Sequence, residues 1–273
     1  MMRSSFMALL GMFILFSQTQ ASGIISVPSA HQVHPFSYGP GERLVYDVRY
    51  MGIPAGEAIM EVLDPKELKG RQAYHVVSTV ESNEFVSLFY PVNNRIETFI
   101  DTEGFYSHYV RIKQRQGKRR KEKEIDFDQV RHRAVQVKRY KGEQKEEIFD
   151  IPPHVQDSLS ALYYFRMHRN LQVGQSVFIN VHESRKNWKL EIQILGKEII
   201  STPLGTFNTI KTKALVRYEG VFMDKGDVTI WFTDDEKHIP VLIKTKIKVG
   251  HIHASLKVKR EPNKTFAKRN ENS

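Results

Sequence analysis

Arg43-Leu44-Val45-Tyr46-Asp47-Val48-Arg49-Tyr50 is the stretch from which the fold can be read. Leu44, Tyr46, Val48 and Tyr50 fall on one side of an extended chain and Arg43, Val45, Asp47 and Arg49 on the other, because successive strand side chains point to opposite faces. The same alternation returns near the end of the chain, where Ile252, Ala254, Leu256 and Val258 interleave with His251, His253, Ser255, Lys257 and Lys259. Val241, Ile243, Ile247 and Val249 oppose Leu242, Lys244, Lys246 and Lys248, while Trp188, Leu190, Ile192 and Ile194 oppose Lys189, Glu191 and Gln193. One dry face and one wet face mark antiparallel strands; parallel strands covered by helices read as continuous apolar runs.

Turn chemistry separates these segments at Met51-Gly52-Ile53-Pro54, Leu68-Lys69-Gly70, Asp101-Thr102-Glu103-Gly104, Gln116-Gly117-Lys118, Lys141-Gly142, Met223-Asp224-Lys225-Gly226 and Val249-Gly250. Glycine supplies the positive φ that tight hairpins need. About fourteen candidate strands follow, at the spacing of sandwiches and barrels. One segment breaks the pattern: Asp157 precedes Ser158-Leu159-Ser160-Ala161-Leu162-Tyr163-Tyr164-Phe165-Arg166-Met167-His168, with Leu159, Leu162 and Tyr163 on one helical face. An Asp N-cap, basic residues in the last turn and Gly174 beyond the end predict a helix near 157–169. The expected architecture is mostly β, an antiparallel curved sheet of half-barrel or sandwich-like form with one central helix.

The chain begins Met1-Met2-Arg3, then runs apolar from Phe6 to Phe16, then turns to small and polar residues through Gly23. This is the pattern of a secretory signal peptide over residues 1–23, too short to cross a hydrocarbon core of about 30 Å as a helix. Residues 24–40 read as a linker, 41–261 as a single β-rich domain with order beginning near Gly41, and 262–273 as a flexible tail. No cysteine occurs among the 273 residues, which excludes thiol nucleophiles, disulfides and thiolate metal sites. The expected location is therefore periplasmic or secreted, soluble once the leader is removed. Lys and Arg number 41 against 31 Asp and Glu. On an exported protein that excess makes nucleic acid an unexpected partner and favours an anionic membrane surface or lipid head group.

Gly41-Glu42-Arg43-Leu44-Val45-Tyr46-Asp47-Val48, then Gly52-Ile53-Pro54-Ala55-Gly56-Glu57-Ala58, then Asp157-Ser158-Leu159-Ser160-Ala161-Leu162-Tyr163-Tyr164-Phe165-Arg166 form an ordered set. Leu195-Gly196-Lys197-Glu198, Thr202-Pro203-Leu204-Gly205-Thr206-Phe207, Ile230-Trp231-Phe232-Thr233-Asp234-Asp235 and Ile239-Pro240-Val241 continue it. Together they resemble the bacterial exported family catalogued as domain of unknown function 3108, over roughly residues 41–260. The resemblance implies a periplasmic, mostly antiparallel β protein with no established reaction. At the level of fold alone it is also similar to lipoprotein carriers whose curved half-barrel covers an apolar cavity with a helical lid.

Neither a nucleophile elbow, a zincin motif, a phosphate-binding loop, a dinucleotide fingerprint nor a calcium loop is present, and no catalytic residue, metal or cofactor is assigned. His251 and His253 share a strand face and would need a third ligand such as His182; the plainer reading is two histidines on a wet face. Asp234, Asp235, Glu198 and Glu219 would have to converge to cleave a glycoside. Aromatic residues are plentiful, with 16 Phe and 11 Tyr. Tyr46, Phe89, Tyr90, Phe99, Tyr163, Phe165 and Trp231 would line or fill the concave side, and Tyr46, Tyr90, Tyr163, Arg166 and Trp231 are the candidate ligand contacts. Arg166 would either pair with a buried acid or clamp an anionic ligand.

Arg111, Lys113, Arg115, Lys118, Arg119 and Arg120, with Lys121 and Lys123, gather around the turn at Gly117 and are the candidate anionic-surface contact. The plainer reading of that run is a charged hairpin that discourages edge-to-edge aggregation. The leading functional expectation is a non-catalytic protein that binds a hydrophobic or amphipathic envelope component, a lipid or lipoprotein-like ligand. An interaction module in an envelope assembly, whose protein partner the sequence does not name, and a hydrolase of envelope glycan or peptide are the alternatives.

Overall fold

The computed structural model describes residues 37–263 apart from residues 141, 184, 219, 220 and 248. The leader expected at 1–23, most of the linker and tail, and Glu219 lie outside the described residues. The strands are β1 (Arg43–Tyr50), β2 (Ile53–Leu68), β3 (Arg71–Ser82), β4 (Val92–Asp101), β5 (Ser107–Gln116), β6 (Arg119–Asp128) and β7 (Arg133–Tyr140). They continue as β8 (Glu143–Asp150), β9 (Ser176–Glu183), β10 (Lys186–Thr202), β11 (Gly205–Tyr218), β12 (Val221–Thr233), β13 (Pro240–Lys246) and β14 (His251–Arg260). All 14 belong to one sheet in the order β8-β7-β6-β5-β4-β3-β2-β1-β14-β13-β12-β11-β10-β9. Two meanders, β1 to β8 and β9 to β14, are thus joined where β1 pairs with β14, Tyr46 opposite Leu256 and Val48 opposite Ala254.

Every neighbouring pair is antiparallel, so successive turns alternate between the two ends of the sheet. The β1–β2, β3–β4, β5–β6, β7–β8 and β13–β14 connections share one end, called here the rim. Helix α2 (Ser158–Arg166) crosses the other end. Its N-cap Asp157 meets Thr98 and Ser107 where β4 ends and β5 begins, and Arg166 meets Glu42 just before β1. The sheet curls enough to bring its edges together: Lys123 of β6 pairs with Glu183 of β9, and Asn187 Nδ2 donates to Asp150 O at 2.8 Å. Residue Gln156 bridges to Val181 in parallel, its N–H donating to Asn180 O and its carbonyl accepting from His182 N. The segment before α2 therefore seals part of the seam between β8 and β9.

The core follows the alternation. Leu44, Tyr46, Val48, Met60, Val62, Val76, Ile96, Val110, Ile125, Phe127, Ala254 and Leu256 meet Leu159, Tyr163 and Met167 from α2. The other side of α2 puts Ala161 and Phe165 against Ile179, Val181, Ile192 and Phe232. A helix apolar on both flanks fits a plug held inside a curled sheet.

Two features go beyond the expected outline. Order reaches back before Gly41: residues 37–40 are buried, and Tyr38 packs edge-on against Tyr74 and Tyr163 with centroids 5.3 and 4.7 Å away. Its aromatic ring supplies the apolar area that the Ser, Pro and Gly around it conceal. There is also a second, short helix, α1 (Glu84–Phe89), capped by Asn83 Oδ1 accepting from Val86 N at 2.9 Å. Its 6 residues are too few for helical periodicity to emerge.

Candidate functional site

Asp157 and Arg166 fix the two ends of α2. Asp157 is fully buried and its carboxylate accepts from the N–H of Leu159 and Ser160, at 2.8 and 3.0 Å, and from the hydroxyls of Thr98 and Ser107. The Ser160 hydroxyl accepts from Asp157 N in return, completing a capping box. Arg166 is fully buried and grips Glu42 with both forks, Nη1 to Oε1 at 2.7 Å and Nη2 to Oε2 at 2.8 Å. Its remaining donors reach Ser37 O and Lys237 O, and the rings of Tyr38 and Tyr163 lie 5.5 and 5.1 Å from the guanidinium carbon. Burial disfavours the charged guanidinium, yet Glu42 reverses the balance and raises the Arg166 pKa above its ordinary value. This is the paired-acid arrangement, and it leaves the guanidinium no open side for a ligand.

The five residues expected to line one cavity do not share one face of the sheet, although Tyr46, Tyr163 and Trp231 fall in one buried cluster with Tyr90 packed against it. Tyr46 and Tyr163 fill the core beside Arg166, and Tyr46 Oη donates to Pro240 O at 2.8 Å. Tyr90 sits at the rim, packed beside Gly117, whose positive φ the turn requires. Trp231 lies on the convex face, because its neighbours Ile230 and Phe232 take the concave one. Its indole N–H donates to Glu198 Oε2 at 2.8 Å beneath the ammonium groups of Lys211 and Lys244. Alternation explains the split: Trp231 occupies the odd position of its strand. Phe99 is likewise convex, stacked on His75 at 4.5 Å, and Phe89 is 77% exposed on α1.

The expected acids are also engaged separately. Glu198 holds Lys211 and Trp231, Asp234 holds Lys197, and Asp235 accepts from Thr233 and from the N–H of Lys237 and His238. The rings of His251 and His253 lie 5.3 Å apart, and His182 is elsewhere, buried with Nδ1 2.7 Å from Asn187 Oδ1. Among the described residues no group of three His, Asp or Glu side chains is arranged to hold a metal.

The basic hairpin is the feature that assembles into a site. Register places Arg115 opposite Arg120 and Lys113 opposite Glu122 across β5 and β6, with Glu122 opposite Arg139 on β7. Arg111 and Arg139 share Glu124, at 2.9 and 3.0 Å. Burial would raise the Glu124 carboxyl, but those two guanidinium hydrogen bonds hold it below its ordinary value. Arg115, Lys118, Arg119 and Arg120 are exposed and have no acidic partner among the described residues. Asn93, Lys113, Arg115, Arg120, Glu122 and Arg139 border an open cleft of ≈ 470 Å³ at the rim end. Arg139 was hidden in the sequence, since cross-strand register alone brings it beside residues some twenty positions earlier. On the concave face of the same strands, Lys121, Lys123 and Lys138 form a second cationic row. Burial lowers the Lys121 pKa, and the neighbouring Lys123 and Lys138 lower it further. A separate apolar space beneath the rim, bordered by Val48, Tyr50, Val80, Val92 and Ile252, measures only ≈ 20 Å³, about one water molecule.

No curated protein matches this chain. In fold it is similar to a β-barrel-like protein of domain of unknown function DUF1849 from Brucella abortus, at TM-score 0.55 and 7% identity, covering 83% of this chain and 99% of that one. Weaker likenesses are to a protein described as exported, with a YmcC-like fold, from Bacteroides fragilis (TM-score 0.38, 8% identity, covering 85% and 100%) and to one described as a lipoprotein from Parabacteroides distasonis (TM-score 0.35, 12% identity, covering 84% and 99%). The first likeness bears on fold alone, and the other two carry no argument. The motif that locks α2, Asp157 to Arg166, falls within residues 45–257, which match the family model described as protein of unknown function (DUF3108), and the chain belongs to that family.

Proposed function

We propose that this is a non-catalytic component of the cell envelope, exported to the periplasm, that binds the anionic head group of an amphipathic envelope lipid at the cationic cleft of the rim. The observation that carries this reading is the ≈ 470 Å³ cleft, where Arg115 and Arg120 stand opposite each other without an acid between them. Like charges directly opposite on a sheet are destabilising, and a bound phosphate would relieve that repulsion through the forked donors of arginine. The ligand is placed there and not beneath α2, because Tyr46, Tyr163 and Arg166 occupy the space under the helix. Burial of Tyr46, Tyr163 and Arg166 beneath α2 supports a second reading, an interaction module that contributes to an envelope assembly through its surface.

Titration with dihexanoyl-phosphatidylglycerol, which stays monomeric in solution, tests the first reading against its phosphatidylcholine counterpart. Binding confined to the anionic lipid, and weakened about tenfold or more in Arg115→Ser/Arg120→Ser, is expected from loss of two charge-assisted contacts. Equal affinity for both lipids, or none for either, would discard it. A stoichiometric protein partner whose capture survives that double substitution would favour the second reading.

A further inference from the structure

Six exposed apolar residues cluster at the rim: Met51 and Ile53 at the β1–β2 turn, Phe85, Leu88 and Phe89 on α1, and Val249 at the β13–β14 turn. Leu88 and Phe89 are 78% and 77% exposed, and α1 buries none of its residues. The three segments are tied into one surface. Tyr50 Oη donates to Val249 O at 3.1 Å, and Met51 N donates to His251 O at 3.0 Å. Asn83, the cap of α1, donates through Nδ2 to Pro54 O at 2.9 Å. The rings of Phe85 and Phe89 then meet at 5.8 Å. A protein rarely leaves such a run of large apolar side chains bare at one end without something to bury them.

What surrounds this apolar patch identifies its partner. Gly117 N donates to Pro91 O at 2.8 Å, which fastens the exit of α1 to the tip of the β5–β6 hairpin. Arg115, Lys118, Arg119 and Arg120 therefore flank the aromatics of α1. An apolar tip bordered by unpaired cations matches the boundary of an anionic bilayer, where aromatic and aliphatic side chains enter the acyl region and basic groups meet phosphates. A second protein surface would have to present both an apolar hollow and a ring of acids. A second copy of this chain would bring like charges together.

We infer that the rim docks on an anionic membrane surface, with α1 and the β1–β2 turn entering the interface and the β5–β6 hairpin resting on the head groups. This deepens the proposed function by naming the bilayer as the source of the lipid, and it rests on that reading only for the identity of the head group. Docking would bring the cleft to the level of the phosphates and leave the α2 end facing water.

Flotation with vesicles of phosphatidylglycerol and phosphatidylcholine, and with phosphatidylcholine alone, tests it. The protein should float with the anionic vesicles and be released as salt is raised to roughly 0.5 M, where screening shortens to a few ångströms. Phe85→Ser/Leu88→Ser/Phe89→Ser should weaken flotation more than about tenfold, the loss of three apolar insertions. Its urea midpoint should stay at the wild-type value, since α1 contributes no buried residue. That variant should still bind soluble dihexanoyl-phosphatidylglycerol, whereas Arg115→Ser/Arg120→Ser should lose it, so the docking and the cleft fail separately. Wild-type flotation unchanged by the serine triple, or no flotation at low salt, overturns the inference. So does a wild-type dimer that the triple converts to monomers without any change in flotation.

Discussion

Arg166 and Glu42 are 124 positions apart in sequence and meet with both oxygens engaged. Removing one partner of a fully buried pair strands the other charge, which typically costs about 3–5 kcal/mol. Arg166→Ala and Glu42→Ala should each lower the urea-unfolding free energy by that amount. Arg166→Lys should recover only part, because an ammonium cannot reproduce the paired fork or the bond to Lys237 O. Near the same end of the sheet, Asp101 illustrates the pH dependence of a single carboxylate. Burial alone would raise its pKa, but Arg71, the N–H groups of Gly104 and Glu103, and His108 outweigh burial and hold it well below the carboxylate range. A pKa lowered by folding stabilises the protein above the unfolded value of about 4 and gives up that contribution as pH falls below it. The stability gap between wild type and Asp101→Asn should therefore be full at neutral pH and narrow steadily toward pH 3, read by urea midpoints at each pH.

At the scale of elements, α2 depends on its cap. Asp157→Ala removes the acceptor for two backbone N–H groups and two buried hydroxyls, so its effect should exceed the roughly 1 kcal/mol of an ordinary N-cap. Chemical denaturation of Asp157→Ala beside Ser160→Ala should show the smaller loss in the latter, which keeps the carboxylate. Close approach of β2 and β3 at the rim makes a second demand. A Cβ on Gly56 would sit 2.0 Å from the carbonyl oxygen of Glu81, whereas one on Gly196 meets nothing within 4 Å. Gly56→Ala should destabilise by at least about 1–3 kcal/mol while Gly196→Ala stays near neutral.

These elements also show where the sequence was legible. Period-two alternation announced β1, β10, β13 and β14, and Asp157 announced α2, because local side-chain direction and capping chemistry decide them. Glu42 gave no such sign: a glutamate beside a turn glycine looks solvated until a distant arginine arrives. Trp231 and Phe99 read as concave although alternation sends them to the convex side. The basic hairpin was visible as composition, but Arg139 enters its cleft only through pairing with β6.

The whole molecule is a curled sheet with two unpaired flanks, β8 and β9, drawn together by a few contacts. Lys123 and Glu183, both buried, form one ion pair across that seam, beside the Asn187 to Asp150 hydrogen bond. Lys123→Met alone should cost about 3–5 kcal/mol by breaking a buried ion pair from one side. Lys123→Met/Glu183→Leu should restore most of it, since an apolar pair of similar size avoids the buried charge altogether, and the double-mutant cycle from urea titrations measures the difference.

One consequence follows from the pairing of β1 with β14. β1 and β14 are far apart in sequence, so each meander can zip up locally while the middle of the sheet stays open until those two strands meet. Asn263 N then donates to Pro40 O at 2.8 Å, which leaves the two ends of the described segment side by side. A circular permutant cut between β8 and α2, with a short bridge from 263 to 37, would turn that late closure into an ordinary hairpin and should refold faster from urea.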